Sequence, residues 1–202
     1  MYTLPATLSD DIQYFGSLID EFTEGRIEPV KFKGTRVPMG IYEQRKDGTF
    51  MVRIRCAGGF ITPVQLKKVA EIAHKYNSEL LHITTRQELQ IQNLALKDTL
   101  LVLQNLKEIG LASKGGGGNT VRNILASVDS GISSDEVFDV LPYAENLTSK
   151  LIAEPDSFTL PRKFKIAFST SDKDTGYAAF NDLGFIATIK NNMRGFKVFI
   201  GG

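Results

Sequence analysis

Helical spacing of apolar residues marks the beginning of the chain. Apolar side chains three or four positions apart form one stripe: Ile12, Phe15, Ile19 and Phe22. This period predicts a helix whose N-cap is Ser9 and whose end is Gly25. Residues 26–36 are mixed polar and basic, so we expect a connector there. Residues 1–36 are therefore predicted to be an N-terminal helix and connector.

Residues 37–56 predict a β-hairpin. Its turn signal is Lys46-Asp47-Gly48-Thr49, and an Asp-Gly pair suits a two-residue type I′ turn. Successive side chains of a strand point to opposite faces. The second strand therefore has an apolar face and a basic face: Val52, Ile54 and Cys56 against Met51, Arg53 and Arg55.

A helix, two strands and a second helix follow the hairpin. Thr62 and Gln65 form a capping box with Pro63 at the first helical position, and this helix should end near Asn77. The remaining elements are predicted over residues 80–84, 88–94 and 97–109. This order is that of a ferredoxin-like split βαβ half domain over residues 37–113, in the α+β fold class.

The two helices of this half domain should cover one face of an antiparallel sheet. The residues expected to face them are Val52, Ile54, Ile83, Leu89 and Ile91. The opposite face should carry polar and basic side chains: Arg53, Arg55, His82, Thr84, Gln90 and Gln92. A sheet face of this composition is either solvated or holds a polar, anionic ligand.

The glycine run Gly115–Gly118 is the sharpest change in composition and the predicted domain boundary. No Lys-Ser/Thr follows it, so it is not a phosphate-binding P-loop. A flexible linker and a close backbone approach both remain open. The second part, residues 114–202, should contain a helix over 134–153, interrupted at Pro142. Its predicted strands are 162–169, 183–190 and 196–200.

Composition excludes several classes of protein. Of 202 residues, 42% are hydrophobic and 23% charged, which is enough apolar material for a folded core. The net charge of +1 argues against a general nucleic-acid binder or a protein that binds anionic membranes. Cys56, the one cysteine, cannot form an internal disulfide or by itself hold a zinc ion or an iron–sulfur cluster. We therefore expect a cytoplasmic protein with neither nucleic-acid nor membrane partners.

Five segments in a fixed order carry a resemblance to a known family. They are Met51-Val52-Arg53-Ile54-Arg55, Thr84-Thr85-Arg86-Gln87, Gly117-Gly118-Asn119-Thr120-Val121-Arg122-Asn123-Ile124, Leu160-Pro161-Arg162-Lys163-Phe164-Lys165 and Asn181-Asp182-Leu183-Gly184-Phe185. In this order they resemble the siroheme-dependent sulfite and nitrite reductases. The resemblance covers roughly residues 40–202.

The resemblance implies a cofactor set and a reaction. Members of the family couple siroheme to a 4Fe–4S cluster and reduce a small oxyanion by six electrons, sulfite to sulfide or nitrite to ammonia. It also implies an electron donor such as ferredoxin or a flavoprotein. Residues 114–202 would then be the first part of an α+β siroheme-binding domain. The sequence does not choose between sulfite and nitrite, because both are small anions that need the same basic pocket.

The resemblance also implies roles for individual residues. The anion-binding, catalytic set is Arg53, Arg122, Lys163 and Lys165. The siroheme-binding set is His82, Thr85, Arg86, Gln90, Gln92, Asn123, Gly201 and Gly202, and no residue of the chain is expected to bind a metal. Guanidinium groups suit the carboxylates of siroheme, and converging Arg and Lys side chains would hold the anion and help to deliver protons.

The family's cluster cysteines have no counterpart in this sequence. We therefore expect the N-terminal half of a reductase that pairs with a C-terminal half of the same polypeptide. By itself this half should be inactive and carry no cofactor. One alternative is a non-catalytic module that binds an anion or a tetrapyrrole and has lost the redox centre. A weaker alternative is a related siroheme enzyme of cofactor biosynthesis.

Overall fold

The computed structural model describes residues 2–201, which form two four-stranded sheets with helices. The helices are α1 (Leu8–Thr23), α2 (Pro29–Arg36), α3 (Pro63–Lys75), α4 (Leu96–Glu108) and α5 (Leu141–Ala153). The strands are β1 (Ile41–Glu43), β2 (Thr49–Ile54), β3 (Leu81–Ile83), β4 (Leu89–Ala95), β5 (Leu125–Ala126), β6 (Ile166–Ser169), β7 (Leu183–Lys190) and β8 (Met193–Ile200). The predicted α+β fold class is confirmed. No helix within residues 2–201 is long and apolar enough to cross a membrane.

The first sheet has the strand order β1-β2-β4-β3 and is antiparallel throughout. Arg53 lies opposite Gln90 in β4, which lies opposite His82 in β3, so these three side chains share the open face as predicted. Val52 and Ile54 are fully buried on the other face. Ile83 is an exception: it is 74% exposed at the sheet edge, so the expectation that the helices cover it was wrong.

The turn of the hairpin also differs from the prediction. Gly48 has φ +70°, whereas Asp47 is not among the residues with positive φ. A type I′ turn needs positive φ at both central positions. Instead, Thr49 N–H donates to the Lys46 carbonyl (3.1 Å), while Gln44 N–H pairs with Thr49, so residues 44–48 form a longer loop.

The predicted connector over residues 26–36 contains helix α2. Pro29 lies at its first turn, and Phe32 is buried with its ring stacked on Phe22 (4.3 Å between centroids). Because α2 has only eight residues and a weak apolar stripe, packing of Phe32 against α1 stabilises it more than its sequence pattern does. Helix α1 begins at Leu8, after Thr7, and not after the predicted cap Ser9.

The second sheet has the order β5-β6-β7-β8, with two parallel pairs followed by an antiparallel one. Helix α5 begins at Leu141, so Pro142 lies in its first turn, where no intrahelical N–H is needed; the predicted start at 134 was wrong. Strand β6 begins at Ile166, so Lys163 and Lys165 precede it in extended chain that makes one bridge, Val121 to Phe164.

The glycine run is a close backbone approach. A Cβ atom on Gly117 would lie 2.3 Å from the Tyr42 hydroxyl and 2.4 Å from the Val37 carbonyl oxygen. A Cβ on Gly116 would lie 2.8 Å from the Ser113 carbonyl oxygen. The run therefore packs directly on the hairpin of the first sheet, and side chains are excluded there by contact.

This contact predicts a large difference between two glycine substitutions. Gly117→Ala should lower the free energy of unfolding by about 1–3 kcal/mol, the usual cost of overpacking. Gly34→Ala, in α2 with open space around it, is the control and should stabilise by up to ~1 kcal/mol. Urea unfolding of the chain measures both. Equal stability of the two variants would contradict the close approach.

Candidate functional site

Arg53 is held firmly on the open face of the first sheet. Its Nη1 atom lies 3.5 Å from a carboxylate oxygen of Glu88, and its guanidinium stacks over the Tyr42 ring at 5.3 Å. With the Gln90 amide oriented for hydrogen bonding, its oxygen accepts from Arg53 Nε (3.3 Å) and Nη2 (3.0 Å). The Arg53 side chain is 19% exposed, so it is largely buried but not sealed from solvent.

Arg122 and Arg53 both lie against Gly116 of the glycine run. Arg122 Nη2 donates to the Gly116 carbonyl (2.8 Å), and a Cβ on Gly116 would lie 3.5 Å from Arg53 Cβ. The Nε atom of Arg122 is buried and has no hydrogen-bond partner among the described residues. Because Gly116 has no side chain, arginines from two parts of the chain both lie against its backbone.

Lys163 and Lys165 lie on the segment that pairs with Arg122. Arg122 N–H donates to the Phe164 carbonyl (2.8 Å), and Phe164 packs into the core of the second sheet. Alternation along the extended chain places both lysines on the side away from that core. Lys163 is exposed and Lys165 half-buried, and neither ammonium group makes a hydrogen bond or ion pair within residues 2–201.

Arg86 and Asn123 join the loop before β4 to the second sheet. Arg86 donates to Asn181 Oδ1 (3.0 Å), to the Asn123 carbonyl (2.7 Å) and to the Ile166 carbonyl (3.3 Å). Asn123 Nδ2 donates to the carbonyls of Cys56 (2.8 Å) and Arg86 (2.9 Å). Burial lowers the pKa of Arg86 to about 10. The terminal nitrogens of Arg86 are therefore committed to protein acceptors, and its buried Nε remains unpartnered.

The other predicted siroheme-binding residues have different surroundings. His82 and Thr85 are exposed on and beside the open face. Gln92 lies between Gln90 and Gln44. Its side-chain oxygen accepts a hydrogen bond from Gln44 Nε2 (2.7 Å), and its Nε2 atom lies 2.9 Å from the Gln90 side-chain amide. At the far end, Gly201 has φ +73° and is exposed, whereas Gly202 lies outside the described residues.

Glu88 is a residue of this site that the sequence reasoning missed. Its side chain is buried, and it shares the alternation that places Gln90 and Gln92 on the open face. Burial raises the pKa of Glu88, although Arg55, Arg53, Arg122 and Arg86 all oppose that rise. Alternation with Leu89 and Ile91 places Glu88 on the same face as Arg53, but no local pattern indicates that its side chain is buried.

Arg55, predicted on the open face without an individual role, ties the first sheet to the glycine run. Its Nε donates to the Lys114 carbonyl (3.2 Å) and its Nη2 to the Val121 carbonyl (3.0 Å). Burial lowers the pKa of Arg55, an effect that nearby Glu88 opposes. Arg55 is therefore a structural cation at the junction of the two sheets, because its donors bind backbone carbonyls.

The described residues do not supply the ligands of an iron–sulfur cluster. Cys56 is buried, and that burial raises the pKa of its thiol to about 11. Residues 2–201 contain no group of three or more His, Cys, Asp or Glu side chains placed to hold a metal ion. Cys56 thus behaves as a small core residue, as its alternation with Val52 and Ile54 indicated.

Two family descriptions match consecutive parts of the chain. Residues 42–109 match the nitrite/sulfite reductase ferredoxin-like half domain, and residues 117–202 match the nitrite and sulphite reductase 4Fe-4S domain. These ranges hold 68 and 86 residues, so together they cover 154 of the 202.

Individual relatives agree with these matches. The chain is 34% identical over 199 residues to a ferredoxin–nitrite reductase of Synechococcus elongatus, covering 96% of this chain and 38% of that protein. It is 30% identical over 179 residues to the assimilatory ferredoxin-dependent nitrite reductase of Haloferax mediterranei, covering 81% of this chain and 30% of that protein. The chain therefore spans about a third of the length of these relatives.

A solved structure shows the same fold. The NirA protein of Mycobacterium tuberculosis gives a TM-score of 0.79 at 24% identity, over 98% of this chain and 41% of that one. Fold and matched ranges together define an α+β protein with a ferredoxin-like half domain. The chain belongs to the siroheme-dependent nitrite and sulfite reductase family.

Glu88 predicts an unusual pH dependence of stability. Because the folded protein raises the pKa of this carboxyl, its stabilising contribution is present below the ordinary glutamate value of ~4.3 and is lost as pH rises through the raised value. Glu88→Gln should therefore match the wild type near pH 4 and be at least as stable at pH 7. Urea unfolding between pH 4 and 8 measures this difference.

The matched control is Glu71→Gln, which removes the 48% exposed partner of Lys68, itself 52% exposed. Its effect should stay within about 1 kcal/mol at every pH, as for other exposed ion pairs. A Glu88→Gln variant several kcal/mol less stable than the wild type at pH 7 would show that the four guanidinium groups outweigh the cost of burying the carboxylate.

Proposed function

We propose that this chain is the front part of an enzyme that reduces nitrite to ammonia by six electrons, with ferredoxin as the electron donor. The observation that carries the proposal is that Arg53 and Arg122 both lie against Gly116, and that the segment of Lys163 and Lys165 pairs with the residues around Arg122. Like charges repel, so bringing these cations together does not by itself stabilise the fold. Binding of an anion would explain the arrangement. The named relatives favour nitrite as the anion.

The basic side chains would act on the anion and on protons. Arg53, whose side chain is 19% exposed, and Arg122 would orient a small oxyanion through charge-assisted hydrogen bonds. Lys163 and Lys165, whose ammonium groups are free, would stabilise the negative charge that develops as N–O bonds break, and would help to deliver protons.

Several residues fit a carboxylate-rich tetrapyrrole. Unpartnered donors remain at Arg86 Nε and Arg122 Nε, and exposed polar groups lie on the open face. The residues that would hold siroheme are His82, Thr85, Arg86, Gln90, Gln92, Asn123, Gly201 and Gly202. When bound, siroheme supplies the redox-active iron. The contribution of Arg86 would be its Nε and its charge, since its terminal nitrogens already bind the protein.

The partners of this chain are part of the same proposal. They are the nitrite anion, ferredoxin and a C-terminal half of the same polypeptide that would supply the cluster cysteines. We also propose the division into residues 1–36, 37–113 and 114–202, and a reducing compartment such as the cytoplasm, consistent with one buried cysteine. Sulfite is the second candidate substrate, because the same basic groups would bind it.

The lysines provide the sharpest test of the catalytic assignment. In the siroheme-loaded full-length protein, Lys163→Met or Lys165→Met should slow nitrite reduction roughly a hundredfold, the usual effect of losing one transition-state donor. Folding should change little, because a repulsive cluster is relieved. Steady-state reduction of nitrite and of sulfite by reduced ferredoxin measures the effect and the substrate preference.

Lys190→Met is the matched control, since Lys190 is an exposed lysine at the end of β7. It should reduce nitrite at the wild-type rate. Wild-type turnover of both anions by the Lys163 and Lys165 variants, at full siroheme content, would refute the assignment. A protein that loads siroheme and reduces neither anion would favour the non-catalytic binding module.

The 202-residue chain alone should contain no iron–sulfur cluster and little or no siroheme. One buried cysteine cannot supply the cluster ligands. Iron analysis and a visible absorption spectrum of the purified chain check this expectation. Stoichiometric iron with a broad sulfur-to-iron absorption band would contradict it.

A further inference from the structure

Glu88 is a buried acid for which the proposed function has no use. Its side chain is 0% exposed, and neither carboxylate oxygen accepts a hydrogen bond from the described residues. Its one close charged contact is Arg53 Nη1 at 3.5 Å. Buried carboxylates are costly unless they are paired and hydrogen-bonded, so a position of this kind needs a reason.

The charged groups around Glu88 come from three segments. Arg53 and Arg55 lie on or just after β2, Arg86 precedes β4, and Arg122 follows the glycine run; all four favour the ionised carboxylate. Asp182 is a further acid near Arg86. Glu88 also lies near the Tyr2 hydroxyl and the Cys56 thiol. Burial raises the pKa of both groups and Glu88 raises it further, so both are neutral at physiological pH.

Two of these arginines belong to the proposed anion site. An ionised Glu88 offsets part of the positive charge of Arg53 and Arg122, whereas a protonated Glu88 leaves that charge to an incoming anion. Ionisation of Glu88 and binding of an anion therefore oppose each other, and such a coupling is reciprocal. We infer that Glu88 is a buried counter-charge that couples the binding of nitrite at Arg53 and Arg122 to the uptake of a proton.

This inference rests on the proposed function, and the environment of Glu88 supports it. A residue with a purely structural role would be served by a neutral amide that hydrogen-bonds Arg53, as Gln90 does. The carboxylate instead carries a charge that no hydrogen bond stabilises. Burial raises the pKa of the Glu88 carboxyl, so its protonation is easier than that of an exposed glutamate.

Calorimetry of nitrite binding tests the coupling directly. The oxidised, siroheme-loaded full-length protein does not turn over, and nitrite does not itself titrate near neutral pH. Binding measured in two buffers of different ionisation enthalpy gives the number of protons taken up per anion. The wild type should take up a fraction of a proton, and its affinity for nitrite should fall as pH rises from 5 to 8.

Glu88→Gln should remove both effects. Its proton uptake should be near zero, its affinity should stay constant with pH, and at pH 8 it should bind nitrite roughly tenfold more tightly. That factor is the order expected for one unit charge ~10 Å from the anion at an effective dielectric constant of ~20. Glu71→Gln is the control and should show the same proton uptake as the wild type.

Each outcome decides the inference. Proton uptake that persists in Glu88→Gln, or a wild type that binds and reduces nitrite without proton uptake, would overturn it and leave the proposed function intact. A wild type that neither binds nor reduces nitrite would instead overturn the proposed function. If Glu88→Gln does not load siroheme, Glu88→Met is the second neutral variant, and proton uptake by the wild type remains a test in itself.

Discussion

The backbone of Gly115–Gly118 lies directly on the open face of the first sheet, and the positions of the basic residues depend on this contact. With no Cβ atoms in between, guanidinium groups on both sides of the contact reach main-chain carbonyls. Arg122 donates to the Gly116 carbonyl, and Arg55 donates to the carbonyls of Lys114 and Val121. A side chain at Gly117 would separate the surfaces, since it would collide with Tyr42 and Val37.

This packing concentrates positive charge where water is scarce. Burial lowers the pKa of Arg55 and Arg86, which means that the folded protein makes their charges less favourable than in water. Backbone carbonyls offset part of that cost through charge-assisted hydrogen bonds. Glu88 lies among these groups as a carboxylate that attracts all four arginines while its own burial opposes its ionisation. The junction therefore balances charge against desolvation, and small changes in protonation alter its net charge.

The order of elements could be predicted from the sequence, because periodicity and capping are local signals. The capping box of Thr62 and Gln65 is present, and α4 and the strands β3 and β4 begin and end within two residues of their predicted positions. Helix α2 could not be predicted, because its stability comes from Phe32 packing on α1. Pro142 lies in the first turn of α5, which is an ordinary position for proline. The sequence analysis instead predicted that it interrupts a longer helix.

The site was less accessible to sequence reasoning than the fold. The face of the sheet that carries Arg53 follows from alternation alone, so its composition was predicted correctly. The bonds of Arg86 to Asn123 and Asn181 join residues 37 and 95 positions apart, and no local pattern reports them. A single glutamate between Gln87 and Leu89 is predicted from the sequence to be solvated, and no local pattern reports its burial among arginines from three segments of the chain.

Within the proposed anion site, the partners of each cation separate two tasks. The arginines are largely committed: Arg53 to Glu88, Gln90 and Tyr42, and Arg122 to Gly116. A guanidinium cannot give up its proton in a protein, so arginine suits fixed binding of an anion. Lys163 and Lys165 lie in extended chain outside β6 and keep their ammonium groups free. An ammonium has three rotatable donors, so the proposed division gives proton delivery to the lysines and orientation of the anion to the arginines.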